Sequence, residues 1–398
     1  MRTVVSVVLA AGVLLAGREA LAKNCSELPN PLVVESGDTQ EPLLKHLGQR
    51  LANSTDKPMS ILYRTTGTCT LIDDVYKSKK VASASTLSYL PTTAEDPTWD
   101  PSKPSPSCTV DAAAGLDIDV GIAATYIASC AAGLPPAGKG AFDGPNQAYG
   151  FVTHKDSTET AITAEEGYLA FGLGAAGGVT PWNDEAFLFV RTPSKSTQLT
   201  LGAAIGVPAA KFKGTPFDKS TDVVNAVINA TDTQKPLGLL GVEVFDANRG
   251  KLKLLAFKAR QQKYAYYPDS TATAFDKKNV RDGHYFPWAP TIYITSTDVG
   301  GQPSIANAKL LIDLVQGKRT LADVDGLASV VAKGLIPQCA MKVSRLFDGG
   351  DFSLYTPPEP CGCFFDATVP SGSTACAKCA NDGTCGGGKC RHGYCEAR

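Results

Sequence analysis

The stretch "RTPSKSTQLTLGAAIGVP", Arg191 to Pro208, follows an apolar segment, "EAFLFVR" (185–191), and leads into an apolar helix. One arginine and a run of hydroxyl side chains stand at the joint. A helix N-terminus leaves backbone N–H groups unpaired and carries partial positive charge. Hydroxyls add rotatable donors, and arginine adds a planar fork for an oxyanion. Alone, such a joint is ordinary capping, because Ser and Thr are common N-caps. Two other stretches repeat the design: Ser36-Gly37-Asp38-Thr39 and Thr65-Thr66-Gly67-Thr68-Cys69-Thr70. In an open α/β sheet, loops of this kind gather at the carboxyl ends of the strands, where ligands bind. Three together define a candidate anion cleft.

Around these loops the chain alternates strand and helix. "PLVVESG" (31–37) reads as a strand, and "EPLLKHLGQRLA" (41–52) is amphipathic through Leu43, Leu44, Leu47 and Leu51. "MSILYRTTG" (59–67) is a second strand, "TLIDDVYKS" (70–78) a second helix, and "LDIDVGIA" (116–123) a third strand, after a Pro/Ser/Thr/Asp-rich insertion from Pro91 to Ser107. This spacing implies βαβ units on a parallel sheet. A second α/β unit starts near Tyr149, where Thr163 with Glu166 predicts a capping box and "STDVVNAVINA" (220–230) a helix. A strand follows at "KLLAFKA" (253–259), then an aromatic loop (264–288), a strand at "TIYITS" (291–296) and two helices (305–317 and 326–335). Periodicity ends after Phe347.

A formal net charge of −1 argues against nucleic acid or an anionic membrane surface as the main partner. The first 22 residues have Arg2, an apolar run from Val4 to Ala16 and the small residues Ala20 and Ala22, which predicts a signal peptide cut after Ala22. No later segment is long and apolar enough to span a membrane, so no membrane insertion is expected. The localisation expected is periplasmic or secreted. Twelve cysteines suit an oxidising compartment. Five lie in the body (Cys25, Cys69, Cys108, Cys130, Cys339) and seven follow Pro360. Both sets are odd, so full pairing requires a bridge from tail to body, for which Cys339 to Cys361 or Cys363 is the first choice. The tail from Cys376 to Cys395 reads as a small disulfide knot; zinc on Cys376, Cys379, Cys385, Cys390 and His392 is the alternative.

The order and spacing of the three loops resemble the phosphate-binding proteins of ABC importers, which are type II periplasmic binding proteins. Their first loop reads "G-[AS]-[GS]-x-T-x-x-x-P-L", their second "Y-x-G-x-G-S-S", and their third "R-x-x-[GS]-S-G-T". The counterparts here are "ESGDTQEPLL", "YRTTGTCTLIDD" and "RTPSKSTQL". The similarity extends over residues 29–345 and includes "AITAEEGYLAFGLGAAGGVTPWND". It implies a two-lobed α/β fold closing on a small oxyanion. Lobe one would cover residues 29–149 and 251–345, and lobe two 150–250, with a Cys-rich appendage over 346–398. It further implies anion contacts from Asp38 and Thr39, mainly through backbone N–H, from Thr68, and from Arg191, Ser194, Ser196 and Thr197. The partners implied are an ABC permease or a sensor, and the chain is expected to be monomeric.

Two departures bear on the ligand. The family's third strand ends in "D-x-G-[AG]-[ST]-D", whose last aspartate accepts the proton of a protonated phosphate. Here that position holds Ala124, and Lys195 replaces the glycine of the third loop. A lost acceptor and a gained cation point away from phosphate, toward a fully ionised or sulfate-like oxyanion, an anionic organic molecule, or loss of binding. None of the four histidines (His46, His154, His284, His392) sits in a catalytic or metal-binding motif, and the acid pairs Asp73-Asp74 and Glu165-Glu166 fall in first helical turns. The expectation is a non-enzymatic protein without cofactor or metal. The competing expectation is an interaction protein that keeps the fold and uses its tail for partner contact.

Overall fold

The computed structural model describes residues 23–396. The signal peptide expected over residues 1–22 lies outside them. Strand β1 (Pro31–Gly37) is buried from Leu32 onward, as a central strand covered on both faces should be. It pairs in parallel with β2 (Ser60–Thr66) and β3 (Val120–Ala123). Between β1 and β2 runs α1 (Glu41–Ala52), which buries the four leucines of its expected apolar face; α2 (Thr68–Tyr76) follows β2. The expected strand over 116–123 is shorter than its pattern suggests. Leu116–Asp117 pairs separately with Lys80–Val81, leaving only Val120–Ala123 beside β1.

The 16-residue β4 (Lys139–His154) joins the two halves of the molecule. Up to Ala148 it pairs antiparallel with a late strand, and from Tyr149 to Val152 with a strand of the second half. In the second half β5 (Leu188–Arg191) leads to α3 (Ser196–Ile205), and α4 (Ser220–Ile228) precedes β6 (Leu237–Gly241) and the short α5 (Val242–Asp246). The late strand is β7 (Trp288–Ser296), which returns to the first half between β3 and β4. Helices α6 (Ala306–Val315) and α7 (Gly326–Ala332) then pack together. Strands β1 to β7 all lie in one 12-stranded sheet. The expected strand over 253–259 is two: Leu252–Leu254 pairs with β4, and Ala256–Lys258 with Ala161–Thr163.

Burial follows this division. Two clusters cover the two faces of the first half's sheet, around Leu47 and Ile61 on one side and Leu71 and Val75 on the other. The third cluster fills the second half around Phe151, Phe171 and Phe257. Helix α3 is buried on nearly every side, so its apolar residues show no single stripe. The expected capping box forms, with the Thr163 hydroxyl accepting from Glu166 N–H and the Glu166 carboxylate accepting from Thr163 N–H.

All twelve cysteines are paired. Cys339–Cys361 joins body to tail, and three bridges lie wholly within the tail. The start of the tail is part of the body: α8 (Gly362–Thr368) buries Phe364 and Phe365 in the second half's cluster. Glu396 folds back to accept from the N–H groups of Cys363 and Phe364 at the start of α8, closing the tail on itself. Cys379, Cys385 and Cys395 sit close together, but each is bonded to another cysteine, which removes them as thiolate ligands.

Candidate functional site

The three loops meet where the halves face each other. Arg191 ends β5 with no exposed surface, and its guanidinium is extensively bonded. Nε donates to Phe217 O at 3.2 Å, Nη1 to Ser220 Oγ at 2.5 Å, and Nη2 to Asp218 O at 2.7 Å. The remaining partner is Asp38, both of whose carboxylate oxygens lie 2.9 Å from Nη2. Asp38 Oδ2 also accepts from Ser220 N–H at 3.0 Å and from the Ser220 hydroxyl at 2.8 Å. The resemblance implies a backbone N–H of Asp38 directed at an anion. In the structure its side chain is itself the anion on Arg191 Nη2. Burial pushes the Asp38 carboxyl up, but the charges of Arg191 and Lys195 and the Ser220 N–H outweigh this and hold it below its ordinary value.

Other contacts close the same seam. Ser194 O accepts from Cys69 N–H at 3.2 Å, capping a donor that the first turn of α2 leaves open. Gly67 is needed here, because any Cβ at that position would collide with the Ser194 side chain. Lys195, the unexpected cation of the third loop, is buried and lies 3.0 Å from Asp218 and 3.9 Å from Asp38, with a long contact of 3.4 Å to Thr66 O.

The remaining expected contacts divide into two sets. Thr68 and Thr197 are fully buried with unpartnered hydroxyls, and Ser36 of the first loop is in the same condition. A buried polar group left unpaired costs about 1–3 kcal/mol. Each of the three loops contributes one. Thr39 and Thr68 flank Gly37, a Cβ on which would lie 3.9 and 3.5 Å from their hydroxyls. Thr39 itself turns toward β4, its hydroxyl 3.3 Å from Gln147 Oε1. Ser196 is buried beside the Tyr149 hydroxyl, which donates to Ala124 O.

Four polar side chains outside the three loops also belong to this region. Ser220 opens α4 after the short strand Thr215–Phe217, the same strand–hydroxyl–helix design as the other loops, and could have been found by it. Glu243 is buried with neither carboxylate oxygen partnered. Asp348 and Arg345 had no local signal. The segment that carries them crosses both halves: the Asp348 carboxylate accepts from Thr125 and Ser129 of the first half and, at 3.3 Å, from Thr200 on α3. Thus a carboxylate comes to the residue next to Ala124 from a distant part of the chain. Burial raises the Asp348 pKa, partly offset by Ser129, Thr125, Arg345 and Thr200. Arg345 sits over the rings of Trp288, Phe286 and Phe352.

Beside the seam, and sharing Asp38 and Ser220 with it, lies a cavity of about 1080 Å³, bordered by both halves, the aromatic loop and the tail. Its lining includes Asp38, Ser220, Glu243, Phe275, Lys277 and Phe365. The aromatic loop is thus divided: Tyr285 and Trp288 are buried, while Phe275 edges this cavity.

Among solved structures, a phosphate ABC transporter substrate-binding protein with bound phosphate from Clostridium perfringens superposes with a TM-score of 0.50 at 11% identity, over 77% of this chain and 99% of that one. An ABC-type phosphate transport receptor from Vibrio cholerae gives 0.46 at 13% identity, over 77% and 99%. No protein-family model matches the chain. No curated protein matches it. The fold is the two-lobed α/β fold of type II periplasmic binding proteins, with a disulfide-rich C-terminal appendage.

Proposed function

We propose that the protein is an exported, non-enzymatic solute-binding protein that holds a small anion between its lobes, as a monomer, for an ABC permease or a sensor. One observation carries this reading: both lobes bring buried, unpartnered hydroxyls (Ser36, Thr68, Thr197) to a seam whose arginine already holds a carboxylate. A donor set able to hold an internal carboxylate can hold an external anion once the lobes part. The full set of disulfides fits export, as does the apolar leading segment, and among the described residues no helix is long and apolar enough to cross a membrane. Without a carboxylate at position 124, the seam does not supply the protonated-phosphate acceptor from the family's position, which favours a fully ionised anion.

The second reading, an interaction protein with a permanently shut cleft, is favoured by the contacts between loops at the seam and by the Asp348 bridge. Isothermal titration of phosphate, sulfate and carboxylates into the wild type and Arg191→Ala separates the two. Saturable binding that is lost in Arg191→Ala supports solute binding. Failure of every titrant, or binding indifferent to Arg191, rules it out.

A further inference from the structure

We propose that the ligand is an elongated organic dicarboxylate: one carboxylate displaces Asp38 from Arg191 and Ser220, and the second lies in the adjoining cavity. This rests on the solute-binding reading and names the chemical class the site would take. The chain displays the recognition chemistry itself. Arg191 Nη2 is 2.9 Å from both Asp38 oxygens, and Oδ2 also takes the Ser220 N–H and hydroxyl. Both oxygens meet the single nitrogen Nη2, because Nε and Nη1 are held by Phe217 O and Ser220 Oγ, so an incoming carboxylate can take the same end-on place. The space beside it is ample for an organic ligand: about 1080 Å³, slightly above the roughly 300–1,000 Å³ usual for small-molecule sites.

Unpaired cations also border the cavity. Lys219 of the second lobe and Lys333 of the first both line this cavity, and neither has a carboxylate within ion-pair distance among the described residues. A second carboxylate would supply one. Glu243 lines the cavity too, buried and unpartnered. Burial above all, with Asp246 and Asp38 nearby, raises its pKa to about 8, so at neutral pH it carries a proton that it can donate. Displaced Asp38 keeps a cation, since Lys195 Nζ lies 3.9 Å from it and is anchored by Asp218.

Titration of adipate, hexanoate and inorganic phosphate tests this. Adipate should bind the wild type, and in Asp38→Ala, where the internal competitor is gone, its affinity should rise at least tenfold. Phosphate should gain less than threefold. The double variant Lys219→Ala/Lys333→Ala, which leaves the Arg191, Ser220 and Asp38 side chains in place, should lose tenfold for adipate and nothing for hexanoate, and it decides the matter if Asp38→Ala does not fold. Phosphate binding without adipate binding overturns the dicarboxylate assignment and leaves solute binding standing. Equal response of adipate and hexanoate to loss of the two lysines overturns it as well. If no titrant binds either protein, both readings fall.

Discussion

Replacing Glu243 by glutamine should make the protein more stable at alkaline pH and leave it nearly unchanged near pH 5. Glu243 is buried without a well-formed hydrogen bond to either oxygen, and its pKa rises from the ordinary 4.5 to about 8 through burial, which its own N–H and the nearby Gln147 amide offset only in part. A raised carboxyl pKa means that the native state holds a proton which the unfolded chain releases. The resulting stability is complete below pH 4.5 and is lost as pH rises through about 8. Each pH unit across this interval is worth roughly 1.4 kcal/mol, so the whole loss is about 4–5 kcal/mol. Glutamine keeps the shape and has no proton to lose. The assay is urea unfolding of both proteins at intervals from pH 5 to 8.5. With a slope of roughly 3 kcal/mol per molar urea, the midpoints should separate by about 1–1.5 M at the alkaline end. Differencing the two proteins cancels every other titrating group. Midpoints that run parallel over the whole range would refute the claim that Glu243 is buried as a neutral acid.

Two further outcomes follow from the segments beyond the lobes. Asp348→Ala removes the acceptor of the Ser129 hydroxyl and leaves Thr125 and Thr200 only their mutual bond of 3.1 Å, and it should cost about 2–4 kcal/mol in urea unfolding. It should also enlarge the molecule in small-angle X-ray scattering if Asp348 holds the lobes together; an unchanged radius of gyration would show that the seam closes without it. Replacing Cys339 and Cys361 by serine removes a bridge with sequence separation 22 and should cost about 3 kcal/mol. Limited proteolysis should then cut residues 346–360 faster than in the wild type, and an unchanged rate would mean that Phe364 and Phe365 hold the tail unaided.

The alternation of strands and helices, the capping box at Thr163 and the leucine stripe of α1 were legible because each depends on neighbours within one or two turns. Cysteine parity required a bridge from tail to body, and Cys339–Cys361 is that bridge. The third loop was recognisable as a helix N-terminus carrying an arginine. What that arginine binds was not. Asp38 lies 153 positions away, and nothing near either residue sets a carboxylate on the guanidinium rather than a backbone N–H beside it. Asp348 lies 223 positions from Thr125, beyond the last periodic element. By itself the sequence determined the local elements and the residue types offered to a cleft. Only the tertiary structure decided which of the chain's own carboxylates entered it, because a buried charge takes the partner that the closed fold brings within hydrogen-bond distance, whatever the separation along the chain.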